Sequence, residues 1–369
     1  MATMDINRQR TANGWKISLV RAGLPVSWCS IVERTMRFGT ARLNVGGIGG
    51  VGTLDEFRKR GYARRVLEDA VSTMAQSGYD LSFLHGIQDF YCKFGFVTCM
   101  AEYESWLETR EAERTRGPLR TRRLRRSDLP QVIDIANRDA DQRTGSAVRR
   151  AGQWHGFTVG TWWTVPARAQ VVIDRQGAIA GYVVVDDTPA ACRVSEVGGG
   201  GEGVYPTMIE YLWRRAVRLR RENIWVHLPE DHSFSVYCRR FGLRSHTLYP
   251  RAQKGMGRII DLHSCMRQLC SELANRWRRS GAPQAVLGLR TEIGTGRLRM
   301  DGDMLVWEEG PSGEGICLTQ QDLTQLIFGY VRPSDLENWG RICVPTAQRE
   351  LAEGLFPLQQ AHLSWADRF

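Results

Sequence analysis

The chain lacks any apolar run approaching the roughly 18 residues that a membrane-spanning helix requires, which excludes an integral helical membrane protein. Its first residues, MATMDINRQRTANG, are polar and lack the apolar core of a secretory signal. Nine cysteines are scattered with no C-x-x-C pair, so neither a zinc site nor a disulfide framework is expected. Free thiols in a cytoplasmic protein are expected instead. The common phosphate loops are missing too. No glycine turn is followed by G-K-[ST], and the glycine turn that opens a helix lacks G-x-G-x-x-G spacing.

What is present is a soluble, globular composition, 42% hydrophobic and 24% charged. A length of 369 residues predicts two or three domains. The net charge of +10 is uneven when the chain is cut at Gly117 and His263. The three parts carry 16 basic against 13 acidic residues, 23 against 14, and 11 against 13, which places the excess in the middle. Its arginines stand singly or in pairs among acids and apolar residues, without a nucleic-acid module, so nucleic acid is not the expected partner.

One stretch, Asn44 to Phe96, organises the rest. Asn44–Thr53 is an apolar, glycine-rich run that reads as a strand. Gly46, Gly47, Gly49 and Gly50 leave room there for close backbone approach. Arg58-Lys59-Arg60-Gly61-Tyr62-Ala63-Arg64 comes next, and Val66, Leu67, Ala70, Val71 and Met74 then recur at helical spacing up to Gly78. A glycine turn feeding a helix start exposes free N–H groups and the positive end of the helix dipole, which together attract an anion. A buried strand, Leu81–Leu84, leads to Phe90-Tyr91-Cys92-Lys93-Phe94-Gly95-Phe96.

Around this stretch, Trp15–Val20 and residues 37–45 read as antiparallel strands joined through Ala22–Thr35. Another strand runs near Tyr103–Leu107, and Gly117-Pro118 marks a boundary. The same plan then repeats. Leu119–Leu124 reads as a strand and Ser127-Asp128-Leu129-Pro130 as a helix start. Ala169–Ile173 and Ala178–Val185 read as a hairpin. Gly198–Gly201 precedes a helix over Tyr205–Arg220, and strand Ile224–Leu228 leads to Tyr237-Cys238-Arg239-Arg240-Phe241-Gly242. Phe94-Gly95 and Phe241-Gly242 lie 147 residues apart, the mark of a domain-scale duplication. The second copy has no arginine-rich turn and carries Glu202 instead, an acid that repels pyrophosphate. From Cys265 a helix, strands around Ala285–Thr291, Arg297–Met300 and Met304–Trp307, and a helix Gln321–Phe328 form a third region.

The strand, the R-x-x-G-x-A turn, the helix, the next strand and FYxxFGF together resemble the acetyl-CoA-binding core of the GNAT N-acetyltransferases. The third region resembles a sterol-carrier domain, and the whole chain resembles the Eis-like (enhanced intracellular survival type) members of that family. The fold implied is α+β, made of tandem GNAT domains and a sterol-carrier-like α/β domain. The first GNAT domain, residues 1–117, is shortened at its N-terminus. The second, 118–263, is degenerate, and the third domain is 264–369.

The resemblance implies transfer of an acetyl group from acetyl-CoA, without a metal, to a primary amine on a cationic small molecule or a lysine side chain. It also implies a homohexamer. Val51, Gly52 and Thr53 would offer main-chain groups to the pantetheine arm. Arg58, Lys59, Arg60, Gly61, Tyr62, Ala63 and Arg64 would hold the pyrophosphate, and Gly86 and Ile87 would line the thioester entrance. Tyr91 is the implied general acid. Phe369 would serve through its terminal carboxylate, which the third domain delivers. His85 reads either as a packing residue or as a base, and Tyr237 as structural. The alternative for the whole chain is a non-catalytic acyl-CoA or lipid-binding scaffold.

Overall fold

The computed structural model describes residues 4–282, 286–311 and 313–369. The start of the expected strand at Ala285 lies outside them. The chain opens with four consecutive antiparallel strands, β1 (Met4–Thr11), β2 (Gly14–Arg21), β3 (Leu24–Phe38) and β4 (Ala41–Thr53). Helix α1 (Tyr62–Gln76), β5 (Leu81–Gly86), β6 (Val97–Thr98) and β7 (Glu102–Glu108) come next. The second copy consists of β8 (Arg120–Arg123), α2 (Leu129–Asp139), β9 (Ala167–Ile173), β10 (Ile179–Asp186) and β11 (Cys192–Gly199). It continues with α3 (Val204–Arg218), β12 (Asn223–Val226), α4 (Ser233–Cys238), β13 (Arg244–Leu248) and β14 (Lys254–Ile259). The third region is α5 (Leu262–Ser280), β15 (Leu287–Thr291), β16 (Gly294–Asp301), β17 (Met304–Glu309), β18 (Gly315–Cys317), α6 (Gln320–Phe328), α7 (Pro333–Asn338) and α8 (Arg349–Leu355).

Among the described residues these form two seven-stranded sheets and one four-stranded sheet, and the first two exchange a strand. The first sheet runs β1-β2-β3-β4-β5-β14-β6 and the second β13-β7-β12-β11-β10-β9-β8. A cut at Gly117 therefore does not follow the sheets, because β7 pairs with β12 and β13 while β14 inserts between β5 and β6. The segment Ala22–Thr35, expected as a connection, is mostly the long strand β3. Its buried Cys29 and Ile31 keep the two-residue period of a strand, whereas buried Val26 falls out of it, three residues before Cys29, where the register against β2 shifts. Among the described residues no α-helix precedes α1, only the short 3₁₀ turn Asp55–Phe57.

The parallel strands β4 and β5 open a gap in the first sheet. They pair only over Val45–Leu81, Gly46–Ser82 and Gly47–Phe83, and then part. Ser30 lies opposite Gly49 but Trp28 opposite Gly52, so β4 carries one extra residue, with Gly50 in the left-handed region at φ 58°. Such a bulge bends its strand away from the neighbour.

Helix α5 packs on β4 and on β17, which merges the third region and one face of the first sheet into one core. Phe328 of α6, fully buried, meets Phe38 edge-on at 4.9 Å and lies 6.0 Å from Phe83. Phe328→Ala is expected to cost about 3–5 kcal/mol, read as a lower denaturation midpoint in urea. An unchanged midpoint would mean that this shared core contributes little.

Candidate active site

The turn after β4 is a short 3₁₀ segment, Asp55–Phe57, followed by Lys59 at φ 60° and Gly61 at φ 77°. Gly61 is the N-cap of α1, and no side chain among the described residues caps the helix, which leaves its first-turn N–H groups to receive an anion. Tyr62 is buried and Ala63 half-buried, which leaves mainly their main chain to the site. Arg58 pairs with Asp55 at 2.8 Å and Arg64 with Glu68 at 3.4 Å, both in solvent, where such pairs exchange readily. Arg60 lies over the Phe57 ring at 5.7 Å, beside Arg21 at 5.5 Å. Lys59 and Arg60 are exposed and have no carboxylate partner among the described residues.

Where β4 and β5 part, the chain's last residue is seated. The Phe369 ring lies on Gly47, where any Cβ would overlap it, and the Phe369 carboxyl carbon lies over Gly49. Phe83 of β5 meets the same ring edge-on at 6.3 Å. On the other face of the sheet, Tyr91 opens the 3₁₀ turn Tyr91–Phe94, which Gly95 closes at φ 79°. Its ring packs against Gly86, where a Cβ would overlap it, and edge-on to Phe90 at 4.9 Å and Phe96 at 6.4 Å. Tyr91 belongs to the core beneath α1, and Phe369 to the core shared with the third region. The two thus flank the gap from opposite faces. Burial, with a smaller contribution from Cys29, pushes the Tyr91 phenol above its ordinary pKa. Val51, Gly52 and Thr53 lie past the bulge on the edge of β4 that β5 has left, half-exposed. Gly86 ends β5 and pairs with Lys254, and Ile87 is exposed.

His85 stands between Phe83 at 5.4 Å and Trp163 at 6.3 Å, with no hydrogen-bond partner for its buried Nδ1 among the described residues. Burial first, then Arg368, Lys254 and His362, hold its pKa well below the ordinary value, so the ring is neutral at pH 7. Beside it opens a cleft of about 290 Å³ whose lining includes Trp162, Tyr249 and Trp365 with the acids Glu102 and Glu104. Lys254 Nζ lies over the Trp162 ring at 5.5 Å, so this aromatic wall already accepts a cation. Nothing in the spacing of the sequence singled out Trp162, Trp163 or Trp365.

The second copy keeps the frame and alters the chemistry. Gly203 at φ 79° caps α3 as Gly61 caps α1, and Gly242 at φ 70° matches Gly95. Exposed Glu202 stands at the helix start, and the Gly199 N–H is already bonded by the Asp139 carboxylate. Tyr237 packs against Tyr205 at 5.4 Å and Phe241 at 5.9 Å, under Arg240.

These features define an acyltransferase-type fold with one open gap and one altered copy. Residues 3–99 match the family model of an acetyltransferase (GNAT) domain, and residues 291–364 match that of a sterol carrier protein domain. The fold is similar to that of a probable N-acyltransferase from Enterococcus faecalis, with a TM-score of 0.78, 14% identity and 100% of both chains covered. It is also similar to a GCN5-related N-acetyltransferase from Anabaena variabilis, with a TM-score of 0.76, 15% identity, and 96% of this chain and 89% of that one covered. An Eis protein from Mycobacterium abscessus matches over 100% of both chains with a TM-score of 0.67 and 15% identity. No curated protein sequence matches the chain. The chain thus carries an acetyltransferase (GNAT) domain and a sterol-carrier domain, and its fold as a whole is similar to those of GNAT-type proteins, an Eis protein among them. Among the described residues no helix is long and apolar enough to cross a membrane.

Proposed function

We propose that the protein moves an acetyl group from acetyl-CoA to a primary amine, on a cationic small molecule such as an aminoglycoside or polyamine or on a lysine side chain. The observation that carries this reading is Phe369, seated with its carboxyl group over Gly49 at a gap whose opposite face bears Tyr91. Acetyl-CoA supplies the activated acyl group. Arg58, Lys59, Arg60 and Arg64, with the main chain of Gly61, Tyr62 and Ala63, hold its pyrophosphate. The free edge of β4 at Val51, Gly52 and Thr53 steadies the pantetheine arm, and Gly86 and Ile87 border the thioester.

Amide formation joins the amine nitrogen to the acyl carbon and breaks the carbon–sulfur bond. Tyr91, protonated throughout the neutral range, donates its proton to the departing sulfur. Phe369 faces the acceptor side. Its α-carboxylate, with an ordinary pKa near 3.5 against about 10 for an alkylamine, orients the ammonium and passes its proton on through water. Much of the rate comes from this positioning. The aromatic and acidic cleft beside His85 suits a cationic acceptor. The Eis-like resemblance supports a homohexamer, and with free thiols it supports a cytoplasmic setting.

Thiol release from acetyl-CoA in the presence of polyamines, aminoglycosides and lysine peptides tests the reading. Release that depends on one amine class is expected. No release with any of them, despite tight acetyl-CoA binding, would favour the scaffold alternative. Reversing two charges of the turn, Arg58→Glu with Arg60→Glu, is expected to weaken acetyl-CoA binding about 10- to 100-fold by calorimetry. Unchanged affinity would remove the turn from the site.

A further inference from the structure

We infer that Arg149 is a positioning residue that docks the chain's own C-terminal segment into the gap of the second GNAT domain, and thereby sets the Phe369 carboxylate over Gly49. This rests on the role proposed above for Phe369. The duplication supplies the first observation. In the second sheet, β11 and β12 pair in parallel only through Val194–Val226, as β4 and β5 do through Gly47–Phe83. Val194 stands 147 residues beyond Gly47, and Glu196 stands 147 beyond Gly49. Where the first gap has a glycine beneath the chain terminus, the second has a carboxylate.

That carboxylate belongs to a closed buried network. Arg149 Nη1 and Nη2 donate to Glu196 at 2.6 and 2.8 Å. Its Nε and Nη2 donate to Asp367 at 3.0 and 2.8 Å. The Tyr182 hydroxyl donates to Glu196 at 2.6 Å, and the Ser364 hydroxyl donates to it as well. Arg149, Glu196 and Asp367 are 5%, 7% and 6% exposed. The guanidinium lies over Trp154 at 4.4 Å, which fixes its plane. One cation thus bridges a carboxylate of the second sheet and a carboxylate two residues from the terminus. Each extended residue spans about 3.3–3.6 Å, so any displacement of Asp367 passes directly to the Phe369 carboxylate.

The rest of the tail runs along the same surface. The His362 N–H donates to the Thr144 carbonyl at 3.0 Å, and the Tyr103 hydroxyl donates to the Ala361 carbonyl at 3.3 Å. Arg368 pairs with Glu102 at 3.2 Å and stacks on Trp365 at 3.9 Å. The second domain, with an acid at its cofactor turn, uses its gap to hold the tail. A lysine cannot replace Arg149, because only a planar fork serves both carboxylates at once.

The test uses the full-length protein and reads the rate at which a carboxypeptidase releases Phe369. In Arg149→Met we expect release at least tenfold faster than in wild type, with acetyl-CoA affinity within about twofold. Arg149→Lys should fall between the two. Asp367→Asn keeps the Arg149–Glu196 pair and should also release Phe369 faster, and it decides the matter if Arg149→Met does not fold. With an amine substrate, kcat should fall at least tenfold in Arg149→Met while KM for acetyl-CoA changes little, and deleting Phe369 from that variant should cost at least tenfold less than the same deletion costs in wild type. Release at the wild-type rate in the folded variants overturns the inference. If deletion of Phe369 alone leaves turnover intact, the carboxylate role fails, while the release rates still judge the docking separately.

Discussion

Deleting Phe369 is expected to lower kcat by about 100-fold or more and to leave acetyl-CoA affinity close to wild type. Loss of a positioned acid–base group costs roughly that much, and the turn proposed to hold the pyrophosphate lies on the far side of the bulge from the tail. The deletion also empties the seat on Gly47, so a second variant separates ring from charge. Adding two residues after Phe369 keeps the ring available and moves the terminal carboxylate away. The extended protein should lose most of the same activity. Full turnover in both variants, measured by steady-state thiol release, would remove the terminal carboxylate from the chemistry.

Tyr91→Phe is expected to lower kcat by about 10²- to 10³-fold at pH 7. The substitution deletes one oxygen and keeps the ring against Gly86, Phe90 and Phe96, so the local packing is preserved. The pH profile supplies a second readout. A group that acts as an acid is competent below its pKa and lost above it. Because burial raises the Tyr91 pKa from its ordinary value of 10.0, its descending limb belongs above pH 10, and activity should not fall on that account through the neutral range. That limb should vanish in Tyr91→Phe. A variant with wild-type kcat would assign proton donation elsewhere.

The parts of the site legible in the sequence are those whose signal is local. The cations at Arg58–Arg64, the helix behind them and the Tyr91–Phe96 segment sit within one strand–helix–strand unit, so linear spacing carries their geometry. The second copy shows itself through Phe241-Gly242, because a left-handed glycine is needed at the same place in each turn. Strand order was not legible. The exchange of β7 and β14 depends on which sheet edge accepts a strand, and that is settled only in the assembled fold. Strand β14 hides its character as well. Gly255 and Gly257 carry no apolar side chain to count, yet Gly255 is pressed against Met100 and Gly257 against Thr324. The ion pair of Arg149 with Asp367 joins residues 218 apart in the chain, with no motif around either. Phe369 could be suspected as a terminal residue, but its seat on Gly47 is a tertiary contact.

A crystal structure with acetyl-CoA bound tests the central reading most directly. The expected result places the pyrophosphate on the first turn of α1, the pantetheine arm along Val51–Thr53, and the sulfur within hydrogen-bond distance of the Tyr91 hydroxyl, with the acetyl group reaching through the gap toward the Phe369 carboxylate. Acetyl-CoA lying at Gly203 and α3 of the second copy, or a sulfur far from Tyr91 while Phe369 keeps its seat, would contradict it.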